Sequence, residues 1–405
     1  MNRESRSQLT RFYFGTFWLY SADLFVLLAA RWGIVAGGGS AITLALVFIL
    51  HALPQLAVGI VGPERVGGHR RLPIVAVLGG IGLAAVSVAA FAGGGRAFVL
   101  LLLTASFLAG WANAVAVPLG QASLMQCLPA AQRVRGSRGY EIASRIPTLA
   151  GPIVGGALIG LLGVRELLVG AMVFFLLAAS AYRRWTLPAF APSPRLGSLR
   201  QSLTAIRGDR WLLTALTVRG LQNLFWPAFS LGLPLLVVGR LHGGALAYGF
   251  LLTCYGVATL LSAGLSARLR LSHLRWLYYL SWVTTGLGFL VLSAATSMAA
   301  AGAGALLAGI GSPFVHMALD THIGTNVAVE VQSALFGFQR LVMSVLGLVG
   351  SYAVGLWLTV DTPHGALATS GEGLAVIGVA GALAMLLLGR RARSSDAHSL
   401  PGQGA

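Results

Sequence analysis

Residues 12–34 read FYFGTFWLYSADLFVLLAARWGI, and this stretch decides the solvent in which the chain folds. It is continuous and predominantly apolar, and a helix of about 20 such residues crosses a hydrocarbon core roughly 30 Å thick. Comparable runs recur near 40–62, 72–92, 97–119, 141–163, 166–185, 211–236, 245–267, 275–296, 298–318, 334–359 and 371–390. Their length and continuity favour helices over a barrel, whose strands would alternate over about ten residues. The first run is longer than a signal-peptide core, contains Asp23 and lacks a cleavage site, so it reads as a mature helix.

Composition agrees. Of 405 residues, 56% are apolar and 10% charged, too few polar groups to solvate a water-soluble domain of this length. The net charge of +17 is carried entirely by arginine, scattered over short segments between the apolar runs. No folded basic domain exists to bind nucleic acid. Most of the 28 arginines fall in the termini and loops of one side, against Arg31, Arg96, Arg165 and Arg240 on the other, with Arg145, Arg219 and Arg340 within or at the ends of helices. By the positive-inside rule both termini are expected in the cytoplasm of a multi-pass protein of the cell (inner) membrane. Cys127 and Cys254 fall in or beside helices, where unpaired thiols behave as small hydrophobes, and neither a disulfide nor a metal site is expected.

Loops are short except for the Pro- and Arg-bearing segment Thr186 to Arg210, which divides the helices six and six. The reading is an N-terminal bundle at 1–185, a cytoplasmic linker at 186–210, a C-terminal bundle at 211–392 and a short tail at 393–405. Asp23-Leu24-Phe25 in the first helix and Asn223-Leu224-Phe225 in the seventh sit in comparable positions, as two six-helix repeats would place them. The expected fold is all-α integral membrane, with twelve transmembrane helices in two pseudo-symmetric six-helix bundles.

With these features the chain resembles the major facilitator superfamily over essentially its whole length. The segment Glu64-Arg65-Val66-Gly67-Gly68-His69-Arg70-Arg71 is similar to the family's signature between helices two and three, with Glu64 where the family has Asp. A fainter counterpart runs from Gly264 through Arg268, Arg270 and Arg275. The resemblance implies a cytoplasmic latch at Glu64, Arg65, Arg70 and Arg71, whose charges pair in one conformation and part in another. In helix five, Pro147 through Gly156 resembles the motif of the family's exporters. Gly151, Gly155 and Gly156 allow close helix packing there, and Pro152 removes a backbone hydrogen bond, which together suit a gate. Ser106 stands where those exporters usually carry an arginine, a departure from their proton-exchange pattern.

Candidate chemistry rests on few residues. Only 11 acidic residues exist, and Asp23 is the one placed most clearly at a helix centre. A carboxylate there costs roughly 2.5–3.5 kcal/mol on insertion scales, so it is expected to face a cavity or a partner such as Arg219. Thr16, Tyr20 and Asp23 share a helical face. Asp23 is therefore a candidate for proton coupling as well as for substrate binding.

Arg219, Gln222, Asn223 and Trp226 recur at i, i+3, i+4 and i+7, a polar stripe that lipid would force inward. Arg219 suits a carboxylate or phenolate, the amides orient polar groups and Trp226 offers a stacking face; the same residues could equally glue helices together. Asn113 and Gln121 in helix four join the substrate-binding candidates. His316 and Asp320, one turn apart, and Glu141, paired in spacing with Arg145, are further proton-coupling candidates. Phe12, Tyr13, Phe14, Phe17, Trp18 and Tyr20 crowd one half of the first helix, as cavity lining or as interfacial anchors.

The function expected is secondary active transport: proton-coupled export of a small amphipathic organic compound, such as a drug, siderophore or secondary metabolite, by alternating access. The alternatives are an uptake permease on the same fold, and a non-transporting sensor or scaffold. No phosphate-binding Gly-rich loop and no nucleophile-base-acid set stands out, so no enzymatic activity and no cofactor is expected. The expected partners are the substrate, protons and the lipid bilayer, with the chain a monomer.

Overall fold

A computed structural model describes residues 3–61, 72–127, 130–183, 199–266, 269, 271–327 and 329–398. Among them every regular element is helical: α1 (Arg3–Ala36), α2 (Ala41–Val61), α3 (Leu72–Ala92), α4 (Gly95–Cys127), α5 (Ala130–Leu161), α6 (Val164–Tyr182), α7 (Leu199–Gly208), α8 (Arg210–Phe225), α9 (Pro227–Gly239), α10 (Ala245–Ser266), α11 (Leu271–Ala294), α12 (Met298–Ile310), α13 (Ser312–Asn326), α14 (Val329–Trp357) and α15 (Pro363–His398). Among the described residues ten spans are long and apolar enough to cross a membrane, and shorter apolar helices at Ala76–Phe91 and Leu341–Trp357 fall on the remaining two runs read from the sequence. Outward-facing Val88, Leu161, Leu261 and Val376 are exposed, as lipid contact requires. The chain is a multi-pass membrane protein.

Several boundaries differ from the sequence reading, α1 reaching back to Arg3 and α4 on to Cys127, and three others show why. Helix α5 begins at Ala130 rather than near 141, and α15 begins at Pro363 rather than near 371. Both extensions are too polar or too Gly-rich for a hydropathy reading, yet helices run on where water replaces lipid. The third lies in the linker, where α7 forms over Leu199–Gly208 with Ile206 buried, because this short segment is strongly amphipathic and packs beside α14.

Helix pairings repeat between the two halves. In the first, α1 packs on α5 and α6, α3 on α4 and α6, and α2 on α4. In the second, α8 packs on α14 and α15, α11 on α12 and α15, and α10 on α12. Two seams join them, α5 with α10 and α2 with α14, and these pairs exchange places when one half is turned onto the other. The α5–α10 seam depends on glycine: a Cβ on Gly156 would strike the Ala245 carbonyl, and one on Gly249 would strike the Pro152 carbonyl, so the backbones touch directly. At the end away from α7, Trp32 stacks on Tyr248 with ring centroids 6.0 Å apart.

Two spans are broken by proline at the depth of the site. Pro227 starts α9 and has no N–H, so the Asn223 carbonyl loses its helical donor and the span from α8 to α9 bends beside Trp226. Pro313 does the same to the Gly309 carbonyl between α12 and α13, and Thr259 Oγ1 of α10 donates to that carbonyl at 3.2 Å. A broken helix survives inside lipid because a neighbour supplies the missing donor.

Candidate functional site

Two adjoining cavities, of about 330 and 220 Å3, share Asn223 and Trp226 at the α8–α9 bend. The larger lies between the halves, with Arg31, Phe48, His51 and Gln55 on one side and Ser230 and Ser344 on the other. The smaller is enclosed by the second half alone and lined by Arg219, Gln222, Tyr255, Trp282, Ser312 and His316.

On the first half, Asp23 of α1 is half-buried and fully engaged. Its Oδ1 accepts from His51 Nε2 at 2.8 Å and its Oδ2 from Asn113 Nδ2 at 2.8 Å. On the far side of the imidazole, Nδ1 meets Gln55 Nε2 at 3.3 Å. Gly110 explains the geometry: a Cβ there would overlap the His51 backbone, so α4 lies against α2 and brings Asn113, one turn on, to the same carboxylate. The partners of Asp23 are thus His51 and Asn113, and not Arg219, the partner that the sequence offered. Each of these bonds to a charged carboxylate contributes about 1.5–3 kcal/mol, comparable to the insertion cost of the acid.

On the second half, Arg219 is 7% exposed and its Nε has no hydrogen-bond partner among the described residues. Its Nη2 approaches the His316 ring nitrogens at 3.2 and 3.4 Å, and its guanidinium carbon lies 5.6 Å from the Trp282 ring centroid. Because a guanidinium only donates, the His316 nitrogen it meets is an acceptor. His316 is open to the lumen, and Asp320, one turn along α13, acts on Arg219 through space. Gln222 is 4% exposed with its Oε1 unpartnered among the described residues, whereas Asn223 Nδ2 donates to the Arg219 carbonyl at 2.8 Å. Trp226 leans on Phe229, Tyr255 and Phe289 with centroids 5.5, 5.7 and 6.0 Å apart.

Other candidates fall elsewhere. Thr16 turns to α6, accepting from Tyr182 Oη at 3.3 Å, and Tyr20 meets Tyr140 Oη of α5 at 3.2 Å, so neither accompanies Asp23. Phe12 packs on Tyr140 and Tyr182, and Trp18 on Phe174, inside the first half, while Phe14 is exposed. Gly151 and Gly155 receive Leu24 and Leu28 of α1, so the two faces of the helix-five motif serve different contacts, Gly156 taking the seam with α10. Ser106 is buried and bonds back to the Leu102 carbonyl of its own helix. The side chains of Gln121 and Glu141 lie outside the described residues, as do Glu64, Arg65, Arg70 and Arg71 entirely.

Several cavity residues escaped the sequence reading, His51, Gln55 and Arg31 among them. His51 and Gln55 sit at i and i+4 on α2, a polar pair in an otherwise apolar helix that could have been noticed by the test that found Arg219. Arg31, counted among the loops of one side, lies inside α1 and over the Phe48 ring at 4.1 Å. Its position two turns past Asp23 was the available signal.

A cavity between two repeated halves, adjoining a polar pocket and flanked by broken helices, is the arrangement of a membrane carrier. The chain belongs to the Major Facilitator Superfamily, whose family profile matches residues 9–351. Solved structures agree on the fold. A POT family transporter in complex with a thioalcohol-conjugated peptide aligns with TM-score 0.71 at 11% identity, covering 95% of this chain and 96% of that one. A bacterial homolog of the human lysosomal transporter Spinster, in an inward-facing and occupied conformation, aligns at 0.65 with 14% identity, covering 96% of each chain. The nucleoside transporter NupG aligns at 0.66 with 14% identity, covering 94% of this chain and 98% of that one. No curated protein sequence matches the chain.

Proposed function

We propose that this secondary transporter is coupled to protons and exports a small amphipathic organic compound, with the Asp23–His51 pair taking up and releasing the proton. The observation that carries this reading is the Asp23–His51–Gln55 chain, whose His51 and Gln55 line the larger cavity. A neutral His51 donates to Asp23 through Nε2 and accepts from the Gln55 amide nitrogen through Nδ1. When His51 is protonated at both nitrogens, rotation of the Gln55 amide presents its oxygen to Nδ1 instead, so either state keeps its hydrogen bonds. The pair thus gains or loses a proton without leaving a buried group unsatisfied.

Alternating access follows from rocking the bundle at 1–185 against that at 211–392 about the glycine-lined α5–α10 seam, with 186–210 as the connection. The export direction rests on the similarity of Pro147 through Gly156 to exporters. The basic loops favour an inner-membrane topology with both termini in the cytoplasm.

The test uses everted membrane vesicles holding an imposed pH gradient that a fluorescent dye reports. Addition of a transported amphipath should collapse the gradient with the native chain and leave it intact with Asp23→Asn. Equal collapse by both chains would remove Asp23 from the coupling role and turn attention to Glu141, His316 and Asp320.

A further inference from the structure

We propose that the substrate is an organic anion, whose carboxylate or phenolate is gripped by Arg219 and Arg31 and whose ring system stacks on Trp226. This deepens the transport reading of the same cavity and rests on it. Arg219 is 7% exposed, yet its Nε has no partner among the described residues and its Nη2 meets a histidine. Arg31 also leaves Nε unpartnered among them, and its guanidinium rests on a phenyl face. Guanidinium nitrogens buried without an acceptor are costly, and a bound anion relieves the cost for both.

The nearby acids are placed for other work. Asp23 gives both oxygens to His51 and Asn113, while Asp320 lies one turn beyond His316, acts on Arg219 through space and lines neither cavity. Asn223 and Trp226 belong to both cavities, so a molecule with an anionic head and a flat apolar body stacked on Trp226 faces the arginine of each. Gln222, whose Oε1 is buried and unpartnered among the described residues, offers an amide to a neutral polar substituent. A ring on Trp226 gains stacking and area burial in a pocket already framed by Phe229 and Tyr255.

The experiment compares three probes that differ only in charge: a naphthoate, the corresponding naphthamide and the naphthylmethylammonium ion. Each is titrated into the purified full chain in detergent at neutral pH by calorimetry. The naphthoate is expected to bind about tenfold or more tightly than the amide, and the ammonium ion more weakly still. Arg219→Gln and Arg31→Gln should each erase the preference for the anion. Arg165→Gln should keep it, because Arg165 bonds the Gly93 carbonyl at the end of α3 and lines neither cavity.

Equal binding of the three probes, preference for the cation, or no binding at all overturns the proposal. If an arginine variant does not fold, the ranking of the probes by the native chain still decides. Failure of proton coupling would show separately, as gradient collapse that survives Asp23→Asn, and would leave the charge preference untouched.

Discussion

Asp23 and Asn223 hold corresponding places in the two halves, but their surroundings are built on opposite principles. Around Asp23 every polar atom is matched: the carboxylate has two donors, and the histidine that serves it has a third group behind it. Around Asn223 the neighbours are left wanting, with nitrogen on Arg219 and oxygen on Gln222 unpartnered among the described residues. A repeat that starts symmetric can thus divide its work. The first half keeps an ionisable pair whose two protonation states are both satisfied, with Arg31 Nε left open among the described residues two turns away, and the second keeps Arg219 and Gln222, whose open atoms something from outside must satisfy. On the proposed reading the proton pair belongs to the wall of the first half and the stacking ring to that of the second, facing each other across the larger cavity, with Arg31 beside His51.

The largest expected effect comes from exchanging the two residues. The double variant Asp23→Asn with Asn223→Asp keeps the number of acids and moves the carboxylate from the histidine to the arginine side. Proton-driven transport should fall to the level of empty vesicles, because His51 Nε2 would then face a neutral amide at position 23 and the carboxylate moved to position 223 would compete for Arg219. Transport at native rates in that double variant would sink the division of labour between the halves.

A smaller effect is expected from Gly110→Ala. Its Cβ would meet the His51 backbone, so α2 and α4 must part and the bonds to Asp23 lengthen. Overpacking of this kind costs about 1–3 kcal/mol, read as a lower Tm in detergent, and the pH dependence of transport should flatten as the pair loosens. Retention of both the native Tm and the native pH profile would show that the close approach of α2 and α4 is not what aligns the pair. On the second half, Trp226→Ala should weaken binding of an aromatic ligand roughly tenfold with little change in the pH profile, since the ring contacts the cavity and not the acid. A shift of the pH profile without loss of affinity would contradict the assignment of the two walls.

Much of the fold was legible because lipid leaves few options: the apolar runs mark helices, and the linker and the Asp-Leu-Phe/Asn-Leu-Phe pair mark the repeat. The polar stripe from Arg219 to Trp226 was legible for the same reason, since a charged face in a bilayer must turn inward. What stayed hidden depends on helix rotation and crossing. Thr16 and Tyr20 share a face with Asp23 by spacing, yet α1 is packed on several sides within its half, so one turn suffices to send Thr16 to Tyr182 and Tyr20 to Tyr140. His51 became a partner of Asp23 only through the contact at Gly110, between helices distant in sequence. The proline breaks at 227 and 313 were visible as residues, but not as bends at the depth of the cavity.

The halves also differ at the end that carries the linker, and there the expected effect is smallest. In the first half, α1 is tied to α5 by a neutral bond, from Tyr13 Oη to the Gly136 carbonyl at 3.1 Å. In the second, Asp209 caps α8, accepting from Leu212 N at 3.0 Å and from His322 Nε2 at 2.5 Å, while Arg275 Nη2 meets His322 Nδ1 at 2.9 Å. Burial alone would raise the Asp209 carboxyl, but the His322 hydrogen bond, the backbone donors and the neighbouring charge outweigh it and hold the group below the usual carboxylate range. A lowered folded-state value means that the carboxylate stabilises the fold at neutral pH, and that this is lost as pH falls below about 4, through the ordinary carboxylate range and then the folded one. Asp209→Asn keeps a good cap and removes only the charge, so it should cost no more than about 1 kcal/mol after solvent screening of this partly exposed group. In thermal unfolding of the purified chain, the native protein and the variant should differ by a small step in Tm at neutral pH and converge as the pH is lowered toward about 3. A gap that stays constant across the acid range would mean that the charge on Asp209 does not contribute, and that the two halves are fastened at this end by equally neutral means.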